Sequence, residues 1–257
     1  MRYAILSDVH ANLEALTAVL DRARQERVDA VVTLGDLVGF NASPNECLDV
    51  LRHAGARSVA GNHDVVACGR AAPRGFSPRA RHAIEWTAAR LRADHRAYLD
   101  ALPLVDVVDD VCGICHGSWR SPFERVRGPI EAAAVLHDFA AGHPGQRLCF
   151  FGHTHRAVAY HQAGGVLRTL GAGEVSLDEP GRYLVNPGSV GQPRDGDPRA
   201  AFAVFDAAAA TVRFHRVRYD RRVAADRRAA AGLPRSEHRR RGLRRLVASA
   251  IGRWRPW

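Results

Sequence analysis

Five short runs of acidic, amide and imidazole side chains each follow an apolar, strand-like stretch. They are Asp8-Val9-His10, Gly35-Asp36, Gly61-Asn62-His63-Asp64, His116-Gly117 and Gly152-His153-Thr154-His155. Open α/β sheets collect their ligands at the carboxyl ends of strands. A chain with metal-ligand residues at five such ends must bring those ends together, and few arrangements of strands do so.

The N-terminal part alternates in the way that this requires. Residues 2–7 read as a buried strand, and Asn12 is placed to cap a helix reaching about Glu26, with Leu13, Leu16, Val19 and Leu20 on one face. A second strand is expected over 28–34. Ser43-Pro44-Asn45-Glu46 has the form of a capping box with proline at the first helical position, Gly55 stands at the helix end, and 57–60 read as a third strand. This order predicts a doubly wound parallel sheet. Ser77-Pro78 opens a helix toward Ala93, and Asp94 is expected to cap another toward Ala101. Strands are expected over 104–108, 111–115, 148–151 and 157–161, with a late hairpin from 201–205 and 211–217. Together these predict two packed sheets with helices outside.

At 257 residues and 46% hydrophobic, the chain is long enough for one sizeable core. No apolar run approaches the roughly 18–20 residues of a membrane span, and the N-terminus enters a strand at once, so a cytoplasmic protein is expected. Cys47, Cys68, Cys112, Cys115 and Cys149 are odd in number and lie mostly in apolar surroundings, as reduced core thiols do. Cys112-Gly-Ile-Cys115-His116 has the spacing of a haem-attachment or redox motif. Within a strand, however, Cys112 and Cys115 point to opposite faces, and both are expected in the core.

Charge divides the chain in two. The net charge is +10, every basic side chain being arginine, and residues 213–257 hold 15 Arg against Asp220, Asp226 and Glu237. The remainder is therefore slightly acidic. Residues 218–257 are expected to form an Arg-rich extension, helical over 221–231 and 236–251 or partly disordered. Its partners would be nucleic acid or an anionic surface, and its plain alternative is a solvated charge run.

The ligand types point to hydrolytic chemistry. Carboxylate and imidazole together suit Mn, Fe, Zn or related ions, where a thiolate set would have pointed to zinc or iron–sulfur. Asp36 has two carboxylate oxygens with which to bridge, Asn62 adds a neutral oxygen, and His116, His153 and His155 supply nitrogens. Seven residues, Asp8, His10, Asp36, Asn62, His116, His153 and His155, suffice for two four-ligand shells with one shared. Two ions about 3.5–4 Å apart hold and ionise a water, lowering its pKa from 15.7 toward about 7. They also bind phosphoryl oxygens and spread the charge that develops at phosphorus. His63 is placed to reach a leaving or phosphate oxygen, and Asp64 is expected to fix its tautomer. His53, His82, His95, His137, His143, His161, His215 and His238 carry no such pattern.

Taken in order, the five motifs resemble those of the calcineurin-like metallophosphoesterase superfamily, over residues 1 to about 214. Gly35-Asp36-Leu37-Val38-Gly39, Pro44-Asn45-Glu46-Cys47 and the run from Asn186 to Arg194 further resemble its small prokaryotic phosphodiesterase branch. The resemblance implies an αββα sandwich, two mixed sheets flanked by helices, with a dinuclear metal site at the strands' carboxyl edge and a catalytic domain over 1–217. It implies one ion on Asp8, His10, Asp36 and His155 and another on Asp36, Asn62, His116 and His153, with His63 as the catalytic histidine. Two divalent ions are expected, manganese first, with Fe, Zn, Ni and Mg as alternatives. The expected activity is a phosphodiesterase acting on a small phosphoester such as a nucleotide, by attack of a hydroxide held between the ions. The alternatives are a phosphomonoesterase or protein phosphatase, and a catalytically silent or nucleic-acid-binding scaffold. Asn12, Ser189 and Arg194 are candidate substrate contacts. Phe40-Asn41 and Trp119 differ from the branch pattern, and both are expected near the mouth of the site.

Overall fold

The computed structural model describes residues 1–234. The N-terminal run forms β1 (Arg2–Leu6), followed by α1 (Leu13–Gln25), β2 (Ala30–Thr33), α2 (Pro44–His53), β3 (Arg57–Ser58), α3 (Asn62–Cys68), α4 (Pro78–Ala88) and α5 (Ala93–Ala101). Then come β4 (Val105–Val108), β5 (Cys112–Cys115), α6 (Pro129–Gly142), β6 (Leu148–Phe150), β7 (Ala157–Ala163), β8 (Val166–Gly171), β9 (Glu174–Ser176), β10 (Arg182–Pro187), β11 (Ala200–Asp206), β12 (Thr211–Val217) and α7 (Arg221–Ala230).

The strands form two six-stranded sheets, ordered β3-β2-β1-β11-β12-β9 and β4-β5-β6-β10-β7-β8. Both are mixed. In the first, β1, β2 and β3 are parallel while β11 runs antiparallel to β1; in the second, β5, β6 and β10 are parallel and β7 runs antiparallel to β10. Successive side chains of β1 point to opposite faces. Tyr3 and Ile5 accordingly enter the core between the sheets, with Val32, Phe150, Val185 and Phe205, while Ala4 and Leu6 pack against Leu16 and Val19 of α1 and Leu48 of α2. A third cluster, Leu136 and Phe139 with Cys115, Cys149 and Leu184, covers the second sheet with α6. The layers are αββα, as expected. A strand buried on both faces cannot alternate polar and apolar residues, which is why β1 and β2 read as continuous apolar runs.

Local expectations hold where one capping bond decides them. Asn12 caps α1, its side chain accepting from Ala15 N, and Ser77 caps α4 through Ala80 N. The structure differs at two expected caps. Ser43 makes no side-chain cap bond, its backbone N–H going instead to Ala11 O, so α2 starts on Pro44 without the capping box. Asp94 lies inside the first turn of α5 and bonds Arg52 and Arg92, whose backbone supplies the cap position. The stretch Gly61 to Asp64, expected as a loop, turns into α3 at Asn62. α6, β8, β9 and β10 fall where no element is expected, although Ala132, Val135, Leu136 and Phe139 have helical spacing.

Cys112 faces the core between the sheets and Cys115 faces α6, and all five cysteines are free. After β12, α7 leans on α1, with Arg227 to Glu14 at 2.7 Å, Tyr219 Oη near Asn12 Nδ2 and Leu233 buried. The helix expected over 236–251 lies outside the described residues. Among the described residues, no helix is long and apolar enough to cross a membrane.

Candidate metal centre

The carboxyl ends of β1, β2, β3, β5 and β6 meet at one edge of the sandwich, and the loops leaving them are bonded side by side. Asp8 N–H donates to Gly35 O, His10 N–H to Asp36 O, Gly152 N–H to His116 O and Gly191 N–H to Asp8 O. Such close packing leaves no room for a side chain at Gly61, where a Cβ would collide with the backbone N and Oδ1 of Asp36. It also requires unusual backbone. Asp8, His10, Asp36, Phe40, His153 and His155 all have positive φ, a region that L-residues occupy only when their surroundings hold them there.

Two groups of ligand atoms result, each lying within 4.8 Å of one another: Asp8, His10, Asp36 and His155, and Asp36, His116 and His153. Asp36 belongs to both. Its Oδ2 lies 3.5 Å from His10 Nε2 and 3.3 Å from His116 Nε2, while Oδ1 accepts from His63 N–H at 2.8 Å. Asn62 Oδ1 stands 3.2 Å from His116 Nε2, which adds the seventh expected residue to the second group.

The chemistry of these donors fits divalent cations. His10, His116 and His155 each place Nδ1 on a backbone carbonyl, of Val38, Leu34 and Gln192. A carbonyl only accepts, so Nδ1 carries the proton and Nε2 turns a lone pair inward, the usual second contact of a metal-ligating histidine. His10 Nε2 and His155 Nε2 are 3.1 Å apart, with Asp8 Oδ1 3.2 Å from His155 Nε2. That oxygen is buried and has no hydrogen-bond donor. Lone pairs and carboxylates crowded together are stable only around a proton or a cation. Burial alone would push Asp36 up and His116 down. Their attraction at 3.3 Å reverses both, holding Asp36 well below the carboxylate range and raising His116 to about 10, so that in the ion-free fold a proton on His116 Nε2 stands where a cation would. Burial keeps His10 and His155 well below the ordinary histidine value and lowers His153 to about 2. His153 differs in one respect: it turns Nδ1 inward, 3.2 Å from His116 Nε2, and its Nε2 accepts from Arg125 Nε at 3.1 Å.

His63 lies beside the first group, its ring 4.9 Å from that of His10 and between the rings of Phe40 and Phe76, each 4.7 Å away. Burial lowers it to about 4, so the ring is neutral at pH 7, and Nδ1 has no hydrogen-bond partner. The expected Asp64–His63 bond is absent. The Asp64 carboxylate accepts from Leu37 N–H, Val38 N–H and Gly61 N–H, which ties the loop after β2 to the start of α3. Asp64 therefore ties the start of α3, on which His63 stands, to the loop after β2 and makes no hydrogen bond to the His63 ring.

The expected substrate contacts separate. Asn12 is spent on the α1 cap and on Gly191 O, and Ser189 is fully buried between Asp8 O and Gln192 N–H, so neither offers a free polar atom. Arg194 does reach the site: its backbone N–H bonds His155 O, and its guanidinium carbon lies 5.9 Å from the Phe40 ring centroid. Trp119 packs on Phe139 and His143, whereas Phe40 packs on His10 and His63. Arg125 and Phe76 were not legible as site residues, because neither follows a strand and each lies within a loop whose path only the folded chain shows. Among the remaining histidines, His95 bonds Asn45 and Asp49, His161 stacks on Tyr183 and His215 on Phe202, all outside the centre. His238 lies outside the described residues.

Residues 1–210 match the family model of the calcineurin-like phosphoesterase superfamily domain. The chain belongs to that superfamily. A protein of Methanocaldococcus jannaschii named only as uncharacterized is 35% identical over 221 residues, which are 84% of this chain and 87% of that protein. The solved structure of a metallophosphoesterase from Sphaerobacter thermophilus is 40% identical, superposes with a TM-score of 0.79 and covers 91% of this chain and 95% of that one. A hypothetical protein from Pyrococcus horikoshii, 20% identical with a TM-score of 0.73, shares the fold over 91% of this chain and 94% of its own. As in a metallophosphoesterase, the buried Asp/His cluster of this superfamily member is suited to divalent metal ions.

Proposed function

We propose that this phosphoesterase-superfamily chain is a dimetal-dependent phosphodiesterase. The observation that carries the reading is the position of Asp36 Oδ2, between two sets of inward-facing donors that share it. Asp8, His10, Asp36 and His155 would hold one ion, and Asp36, Asn62, His116 and His153 the other. Mixed carboxylate and imidazole donors suit manganese, as they do iron or zinc. Lewis acidity toward phosphoryl oxygens and a water that ionises near neutral pH are what such a pair supplies when bound.

The chain's own residues set the rest. With only Asp8 and Asp36 anionic and Asn62 neutral, two divalent ions leave the centre net positive, which suits an anionic ester. His63 is neutral at pH 7 and has nothing to bond at Nδ1. An unpaired buried N–H is rarer than an unpaired acceptor, so its proton belongs on Nε2, from which it donates to an ester oxygen. Phe40 and Phe76 pack on the buried ring. The diester preference rests on the branch-like segments Gly35 to Gly39, Pro44 to Cys47 and Asn186 to Arg194. Five free thiols support a reducing, cytoplasmic setting.

The test is turnover by the Mn²⁺-loaded protein of a chromogenic phosphodiester against the matching monoester. Faster diester cleavage is expected, with His63→Ala losing about 10²- to 10⁴-fold while both ions stay bound. A faster monoester would reassign the protein as a monoesterase, and an inactive wild type holding two ions would leave a binding scaffold.

A further inference from the structure

His63 is 5% exposed, although it is the side chain that the proposed reaction sets against an ester oxygen. Something beside it must therefore give way. Gly39 closes the Nδ1 edge of the ring, where a Cβ would stand 2.5 Å from that nitrogen. His10, Phe40 and Phe76 pack on the ring, with centroids 4.9, 4.7 and 4.7 Å away.

The fold holds all of these but one. Leu37 N–H and Val38 N–H donate to the Asp64 carboxylate, Asn41 donates to His10 O through both its N–H and Nδ2, and Ser43 N–H donates to Ala11 O. Gly39 and Phe40 lie inside that run, and His10 belongs to the buried centre. Phe76 stands differently. It lies between α3 and α4, in a segment that turns at Gly69 and again at Gly75, both with positive φ. Among the described residues, the backbone bonds of that segment reach no farther than α3: Gly69 N–H to Val66 O, Ala71 N–H to Val65 O and Arg74 N–H to Ala72 O. Arg70 ties its start to Asp100 O and Leu102 O, and Arg81 reaches back to Pro73 O. A residue in front of a helix cap often packs on the fourth residue of its own helix when both are apolar. In α4 that residue is Arg81, so Phe76, in front of the Ser77 cap, takes the His63 ring as its aromatic partner. Phe76 is only partly buried, and moving its ring costs less than moving a core side chain.

The first carbon of a departing alcohol is one bond from the oxygen that His63 Nε2 reaches, so that group must lie against whatever borders the ring. Flat rings pack offset or edge to face, which is worth more than their apolar area alone. We propose that Phe76 is a specificity-determining residue of this centre: its ring yields His63 to the ester and packs on the leaving group, so that planar aromatic leaving groups are preferred to saturated ones of equal acidity. Phe40 is the fixed wall of that subsite and Phe76 the movable one. This proposal rests on the phosphoester-hydrolase reading with His63 as the donor, and adds to it the class of leaving group.

The experiment compares two methyl phosphodiesters, one with a nitrophenyl and one with a fluoroalkyl leaving group of similar acidity, on the Mn²⁺-loaded full chain. Wild type is set against Phe76→Ala and Phe76→Leu, the second keeping apolar bulk without a flat face. The ratio of kcat/KM for the two esters within each protein, compared between proteins, cancels their intrinsic reactivity. The aryl preference of wild type is expected to fall about three- to tenfold in both variants. On the same samples, His63 should react with diethyl pyrocarbonate about tenfold faster in Phe76→Ala than in wild type, with the exposed His53 as reference. An unchanged ratio overturns the proposal and leaves the hydrolase reading intact. An equal loss on both esters also overturns it, since Phe76 would then only support His63, and so does unchanged His63 reactivity, since Phe76 would not be what covers the ring. A loaded wild type that cleaves neither ester removes the hydrolase reading and this proposal with it.

Discussion

Asp8, His10 and His155 have their outer contacts made by backbone and Ser7, whereas in the second group, equally buried, the outer nitrogen of His153 meets the exposed Arg125. In the first half each ring spends its outer nitrogen on a backbone carbonyl, of Val38 or Gln192, and Asp8 Oδ2 is held by Ser7 Oγ and the His153 N–H. In the second, His116 is fixed by Leu34 O, but the outer nitrogen of His153 meets only a side chain that is free to leave. A carbonyl in a hydrogen-bonded loop cannot move without breaking the fold, and an exposed arginine can. The outer contacts of the first group are thus fixed by the fold, and that of His153 is not.

Changing what the two halves share should have the largest effect. Asp36→Asn removes the charge common to both groups, and ion binding is expected to weaken by more than about a hundredfold at both sites, since buried charge-assisted contacts are worth several kcal/mol. Metal analysis with calorimetry checks this, and one ion still held tightly would show that the halves do not depend on a shared oxygen. A smaller effect should separate them. His10→Ala is expected to lower both the affinity for one ion and the thermal stability of the ion-free fold, because its ring packs on His63, His155 and Phe40. His153→Ala should weaken the other ion and leave stability nearly unchanged. Melting temperatures of the two ion-free variants that coincide would break the contrast.

The smallest effect is expected from the C-terminus. Arg228 reaches Asn41 Oδ1, and Asn41 Nδ2 donates to His10 O, so α7 backs the first group. Removing residues 235–257 leaves those contacts in place, and turnover on a small ester should stay within about twofold, as for changes remote from a site. A larger loss would mean that the Arg-rich segment takes part in binding the ester.

The seven candidate ligands could be read from the chain because each stands within a few residues of an apolar strand end, and strand ends converge in α/β folds. The partners that decide what the other polar residues do could not. Asp64 is next to His63 in sequence, yet its oxygens go to Leu37, Val38 and Gly61, because three backbone N–H groups of a buried loop need acceptors and no water reaches them. Ser189 and Asn12 look available for the same kind of reason, and are equally consumed by backbone. Arg125 carries no local signal at all. It lies in a loop between β5 and α6, and its relation to His153 depends on how tightly that loop closes over Gly117.

What the sequence by itself determined was most of the alternation of strands and helices, the set of candidate ligand residues and the strand ends where they stand, since each follows from local periodicity and residue type. Only the tertiary structure decided that Asp36 Oδ2 lies between the two groups, which nitrogen of each histidine faces inward, and which neighbouring polar residues remain available. Those properties depend on backbone carbonyls and amides brought in from distant loops. A carbonyl or an amide is the same at every position in a sequence, so only its place in space can tell which side chain it engages.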